Sequence, residues 1–507
     1  MDLFLSSLEM LARLDVAIAL VLGSIGGVLI GAIPGVGPPV AIAILLPVTF
    51  SLEPLVGLTL LLGIYGSSMF GGALPAILIN TPGTAVNALT TYDGYPMTRR
   101  GEALRALGLA YGASFVSGII SIVALILLAP LLAKVAPMFG SREIFLVALL
   151  GIVLVVLAHR GQTFAAGMLA AFGIFLATVG LEPIRYTQRF TFGQDFLTSG
   201  IDLIVVVLGL FAIAQAFVLL SDPDDSPDTQ PITGSMLRAI GAVFRFKRLA
   251  AAGSGFGVLM GMIPGVGEFT AQFLSYTYAR KTSKDPDAFG KGSPEGLVAS
   301  EAANNAVPAA AMIPLLALGI PGEALTAMML SVFYVHNVTP GPGLFQNQLD
   351  FVYALFVAMI LLNVIVVAFM VVASNGILRI IRIPTRFLGV AVLTLSFVGV
   401  YSLRNSITDC ALAAGFGLLG LMLKRQNLPI VPIILGMVLG GIMETRLRSA
   451  MARVSTPLDF VERPIAAVIA LAIAAMIVLH VWGVVRERRA NLREDEHDHD
   501  IHDTQLR

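Results

Sequence analysis

The chain has 507 residues, of which 57% are hydrophobic and 13% charged, and its formal net charge is zero. A soluble domain carries about 25% charged residues, and a mean hydropathy of +0.87 points away from that class. The charge balance argues against a nucleic-acid partner, and the single cysteine, Cys410, excludes intrachain disulfides and cysteine-based metal sites.

Apolar runs of about 20 residues, the length that spans hydrocarbon, recur along the sequence. The expected fold class is therefore an all-α polytopic membrane protein. The first residues mix Asp2, Glu9 and Arg13 with apolar side chains and lack a basic leader with a small-residue cleavage site, so they read as retained. A first span is expected over 14–33, a half-helix or re-entrant arm over 40–50, and an apolar segment over 55–70 that gives way at Gly71-Gly72. A polar loop with Arg99, Arg100 and Arg105 is expected over 92–105, then spans over 107–132, 144–157, 164–179 and 201–220. The Asp/Pro-rich stretch 222–228 is a linker, and 236–249, with Arg238, Arg245, Lys247 and Arg248, reads as an interfacial helix. Further spans are expected over 351–372, 387–400, 411–423, 430–442 and 465–484. The division that follows is a first repeat over 1–221, a linker over 222–249, a second repeat over 250–463, a final helix over 464–485 and a disordered tail over 486–507.

The repeat rests on paired breaks. Gly31-Ala-Ile-Pro-Gly-Val-Gly37 returns as Gly261-Met-Ile-Pro-Gly-Val-Gly267, offset by 230 residues (264 − 34). Pro75 followed by Pro82-Gly83-Thr84-Ala85 returns as Pro314 followed by Pro321-Gly322-Glu323-Ala324, offset by 239 (314 − 75). A later echo pairs 169–174 with 413–418 and Arg160 with Arg404. Proline removes an amide donor and glycine admits unusual dihedrals, so these segments cannot remain plain helix. One break alone reads equally well as a packing kink. Interrupted hydrophobic segments at corresponding positions of two halves point to a transporter's binding site.

Asn80, Thr81, Gly83 and Thr84 offer amides and hydroxyls, with Thr81 as an expected N-cap and Pro82 at the first helical position. A half-helix N-terminus of that kind suits an anion, and Pro321-Gly322 supplies the matching element. Glu323 breaks the symmetry there, because its charge opposes an anion unless it is neutral, bridged or turned away. Glu268, Glu301, Asn304 and Asn305 lie near the second pair of breaks. Intramembrane carboxylates carry protons or bind cations, although Glu301 reads equally well as the end of a helix beside the charged loop 280–295. His497, His499 and His502 sit in an acidic tail that reads as solvated rather than metal-binding. Gly253-x-Gly255-x-Gly257 lacks a strand–helix nucleotide context, and no phosphate-loop motif occurs.

Gly31 to Pro39, Gly63 to Gly72, Asn80 to Ala85, Tyr92-Asp-Gly-Tyr95, Gly261 to Glu268, Glu301 to Asn305 and Leu318 to Ala324 together resemble the large membrane subunit of the tripartite tricarboxylate transporter family, the TctA type. The resemblance covers nearly the whole chain and is weakest after about residue 464. It implies a secondary transporter of the bacterial inner membrane, working with a small four-helix membrane subunit and a periplasmic solute-binding protein. Cation gradients would drive uptake of citrate-like carboxylates. On this reading Asn80, Thr81, Pro82, Gly83, Thr84, Pro321 and Gly322 hold the carboxylate. Pro34, Gly35, Gly37, Pro264, Gly265 and Gly267, with Glu268, Glu301, Asn304 and Asn305, serve the coupling ion, Na+ or alternatively H+. Two inverted repeats of an elevator-type carrier are expected, without an organic cofactor and without enzymatic activity, in a possible homo-oligomer. Arg486, Arg488 and Arg489 place the C-terminus in the cytoplasm. A TRAP-like or stand-alone carrier and a channel are the competing readings.

Overall fold

The computed structural model describes residues 2–33, 36–159, 161–182, 186–221, 234–380, 385–452 and 456–483. Pro34, Gly35, Arg160, the acidic linker 222–228, the basic run after 483 and the histidine tail fall outside them.

The first half opens with α1 (Asp2–Ala12), α2 (Leu14–Gly31) and α3 (Gly37–Thr49), followed by α4 (Pro54–Ile79), α5 (Ala88–Arg99) and α6 (Ala103–Val135). Then come α7 (Ser141–Ala158), α8 (Thr163–Ala177), a two-residue hairpin of β1 (Gly180–Leu181) and β2 (Gln188–Arg189), and the short α9 (Asp195–Thr198). α10 (Leu203–Val207) and α11 (Ala214–Ser221) are one rod joined by a π-helical turn, Leu208–Ile213. The second half runs through α12 (Met236–Gly241), α13 (Lys247–Gly261), α14 (Gly267–Thr282), α15 (Pro294–Leu318), α16 (Ala324–Val335) and α17 (Pro342–Asn347). It finishes with α18 (Leu349–Ile380), α19 (Thr385–Arg404), α20 (Ile407–Arg425), α21 (Val431–Met451) and α22 (Pro464–Gly483).

Nine helices among the described residues are long and apolar enough to cross a membrane: α2, α4, α6, α7, the α10–α11 rod, α18, α19, α20 and α22. The all-α membrane class is therefore as expected, with one small hairpin added. α13 and α14, at 15 and 16 residues, reach only about 23 Å each. Each is short of a full crossing, and the same holds for the 13-residue α3.

Four expectations need correction. α4 runs unbroken through Gly71-Gly72 and Pro75 to Ile79, because these residues sit in a tightly packed helix–helix contact where small side chains are an advantage. The chain then ends α4 with Asn80 in the left-handed region (φ 57°). Thr81 caps nothing: residues 81–84 are irregular, and a 3-10 turn, Ala85–Asn87, leads into α5. The expected polar loop 92–105 is largely α5 itself. The expected helix 236–249 is α12, a 3-10 turn and the first residues of α13, packed on α6.

Glycines set the closest contacts. α2 presents Gly23, Gly27 and Gly31 to α4, where an added Cβ would strike the carbonyls of Leu60, Ile64 and Ser68. α13 presents Gly253, Gly257 and Gly261 to α15, where it would strike those of Ala299, Ala303 and Val307. The glycines are 230 residues apart and the carbonyls 239, the same two offsets as the motifs. A small residue every fourth position lets helix backbones touch, which is how helices associate where lipid removes the hydrophobic driving force.

Two groups of helices follow from the contacts. α2, α4, α5, α6, α13, α14, α15 and α18 pack on one another, whereas α7, α8, the α10–α11 rod, α19, α20 and α21 pair among themselves. α3 and α16 touch both groups.

Candidate functional site

A cavity of about 500 Å3 lies where the breaks of both halves meet. The first half contributes Val36, Gly37, Pro38 and Thr84, and the second Gly265, Gly267, Glu268 and Glu323. α3, α14 and α16 all begin here, with Gly37, Gly267 and Ala324 on the wall. Three helix starts, with their positive dipole ends, thus border one space; α14 and α16 bring unshared backbone amides to it, whereas Pro38 and Pro39 remove two of those of α3.

The breaks are locked by backbone geometry. Gly265 has φ +81° and its N–H donates to the carbonyl of Gly322 at 2.7 Å. Gly83 donates to the carbonyl of Gly72 at 3.3 Å and packs on the carbonyl of Gly31. Gly322 packs in the same way on the carbonyl of Gly261. Glu323 caps α16, its N–H donating to the hydroxyl of Thr326 at 3.0 Å. Glu268 follows the first residue of α14. Both carboxylates are buried, and in each Oε1 is enclosed without a hydrogen-bond partner.

The remaining wall comes from the other helix group. Phe211 projects from the π-helical turn, a geometry frequent at functional sites, and Ala158 and His159 close α7. Lys424, near the end of α20, donates from Nζ to Oε1 of Gln215 at 2.5 Å.

The structure divides the residues singled out in the sequence. Gly37, Thr84, Gly265, Gly267 and Glu268 line the cavity. Pro264 packs toward Gly151 of α7, and Pro321 and Gly322 are buried directly behind the wall. Asn80 and Thr81 are exposed away from it, and Pro82 is half-buried. Glu301, Asn304 and Asn305 lie within α15 rather than at a helix end, and are buried off the cavity wall.

Glu301 has its own polar shell between the halves. Oε1 accepts from the hydroxyl of Thr90 and from Asn87 Nδ2 at 3.4 Å; Oε2 accepts from Ser114 Oγ at 3.1 Å and Asn305 Nδ2 at 3.3 Å. Thr84 reaches the same shell by donating to Asn87 Oδ1 at 2.5 Å. Asn304 and Gln272, both fully buried, have side-chain amides without partners. Below this shell Asp93 accepts three backbone N–H groups on Oδ1, from Gly290 and Gly292 at 2.9 Å and Ser293 at 2.7 Å, and the Tyr276 hydroxyl on Oδ2 at 2.8 Å. Sequence reasoning missed Asn87, Thr90, Ser114, His159 and Lys424. Lys424 precedes Arg425-Gln-Asn and reads as a surface helix end; only its packing against α11 reveals otherwise.

Comparison with known proteins gives a consistent placement. Residues 17–435 match the family described as the tripartite tricarboxylate transporter TctA family. A protein of Agrobacterium vitis, named "uncharacterized 52.8 kDa protein in TAR-I ttuC' 3'region", is 34% identical over 490 residues, covering 94% of this chain and 95% of its own. A second from the same organism, "uncharacterized protein in TAR-II ttuC' 3'region", is 33% identical over 235 residues, covering 46% of this chain and 97% of its own. No solved structure matches. With the family's pattern spanning most of the sequence and a relative aligned nearly end to end, the chain belongs to the tripartite tricarboxylate transporter TctA family.

Proposed function

We propose that this chain is the large permease subunit of a secondary transporter that imports tricarboxylates or related carboxylates by cation symport, with Na+ as the coupling ion. The observation that carries the reading is the convergence of both pairs of breaks on one cavity bordered by three helix N-termini. Helix N-termini attract anions, and broken helices that meet inside a membrane protein mark a carrier's binding site. The enclosed, partnerless oxygens of Glu268 and Glu323 suit a cation bound beside the carboxylate.

Family membership supports two partners for this reading, a small four-helix membrane subunit and a periplasmic solute-binding protein that delivers the substrate. The matched glycine contacts of α2–α4 and α13–α15 support two structural repeats, which on this reading are inverted relative to one another across the inner membrane. Arg99, Arg100, Arg105, Arg245, Lys247, Arg248, Arg280, Lys281 and Lys291 lie near the ends of α5, α6, α13, α14 and α15, which Arg100 helps to join by donating to the carbonyl of Gly292 at 2.5 Å. The positive-inside rule makes that end cytoplasmic, together with the C-terminus. Alternating access would move the two helix groups past each other, in the manner of an elevator.

The test is uptake of labelled citrate and a panel of other carboxylates into proteoliposomes. Both membrane subunits are reconstituted with and without an inward Na+ gradient and the soluble binding protein. Accumulation that needs the gradient and the binding protein supports the reading. Uptake indifferent to Na+ but driven by a proton gradient would move the coupling to H+. Absence of uptake for every carboxylate by well-inserted protein would refute it.

A further inference from the structure

We propose that Lys424 is the fixed cation that selects substrates with two or more carboxylates, a proposal that rests on the carboxylate-transport reading above. Its ammonium has three donors, and the observed partner is a neutral amide, Gln215 Oε1 at 2.5 Å. Among the described residues no carboxylate lies within ion-pair distance of it, Glu268 and Glu323 on the same cavity included. The wall it shares is largely apolar, with Val36, Val40, Phe211 and Val431 beside the polar Thr84, His159 and Thr270. Lys424 is half-buried in the last turn of α20, and a partly desolvated cation whose observed partner is a neutral amide is stabilised when an anion joins it. Here the anion is supplied by the ligand.

Geometry adds selectivity. Lys424 stands on the helix group of α20, whereas the amides at the start of α14 border the same cavity from a break segment. A molecule with carboxylates at both ends can engage the ammonium and a helix N-terminus together; a monocarboxylate engages one or the other. Gln215 acts as a positioning residue, holding Nζ on the wall from α11.

The experiment measures equilibrium binding of labelled citrate, succinate and acetate to the purified full chain in lipid nanodiscs with saturating Na+. The unmutated chain is expected to bind citrate and succinate well above acetate. Lys424→Gln should weaken citrate and succinate at least tenfold and bring them level with acetate, while Lys424→Arg retains the order. Unchanged citrate affinity in Lys424→Gln, with the unmutated chain binding normally, overturns the role of Lys424 and leaves the carboxylate reading standing. A chain that binds none of the three overturns both. Should Lys424→Gln not fold, reductive methylation of Lys424 in the unmutated chain is followed by mass spectrometry. Citrate must slow it and the uncharged triethyl ester must not; equal labelling with and without citrate refutes the proposal.

Discussion

The backbone N–H of Gly265 donates to the carbonyl of Gly322 across 2.7 Å, tying the first break of the second half to its later break. Glu268 lies three residues beyond one partner and Glu323 one residue beyond the other, so this bond fixes the spacing of two acidic helix starts. A Cβ on Gly322 would stand 2.8 Å from the carbonyl oxygen of Gly261 and 3.1 Å from Cα of Ala311. Gly322→Ala is expected to cost about 1–3 kcal/mol through overpacking and to abolish uptake. Thermal unfolding in detergent alongside proteoliposome transport checks both effects, and a fully active, equally stable variant would show that the contact yields freely.

Glu323→Gln keeps the shape of the side chain and removes its charge. On the symport reading the apparent Na+ affinity of uptake falls about tenfold, near 1.4 kcal/mol, with carboxylate affinity recovering at saturating Na+. Measuring uptake against Na+ concentration at several substrate concentrations separates the two. A variant whose Na+ dependence matches the unmutated protein assigns Glu323 a capping role alone.

Asp93→Ala leaves the amides of Gly290, Gly292 and Ser293 and the Tyr276 hydroxyl without their acceptor. Unsatisfied buried donors cost about 1–3 kcal/mol each, so a loss on the order of 3 kcal/mol is expected after relaxation. Limited proteolysis should cut within 283–293 faster than in the unmutated protein. Equal cleavage rates and melting temperatures would contradict this.

Glu301→Ala opens the shell formed by Asn87, Thr90, Ser114 and Asn305 and is expected to be less stable than Glu301→Gln, which retains an acceptor oxygen. If Glu301 also carries the coupling proton, Glu301→Gln transports but loses its response to a proton gradient. Unfolding temperature and gradient-driven uptake, compared for both variants, tell stability from coupling.

The membrane class and the Pro-Gly segments on the cavity were legible because apolar length and Pro-Gly spacing are local signals, whereas Pro75 and Pro314 sit inside unbroken helices that packing holds straight through them. Gly37, Gly265, Gly267 and Glu268 could be picked out as residues of broken segments, and all four line the cavity. Asn80 and Thr81 were drawn in by a capping pattern that the chain does not use, since Asn80 turns left-handed and the next helix starts later. Gly253 and Gly257 looked like a failed nucleotide motif and are in fact contact points between helices. Lys424 and the shell around Glu301 depend on partners some 190 to 210 residues away, and one sequence without its fold gives no sign of such pairings.

The glycine contacts have an evolutionary corollary. Where backbone already touches backbone, there is no volume in which a new side chain could grow, so the pairs α2–α4 and α13–α15 form a chassis that resists variation. The wall from Phe211, His159 and Lys424 has no such constraint, since those side chains face open space. A change of preferred substrate is therefore accessible through a handful of exchanges on that wall, leaving the glycine-packed helix pairs untouched.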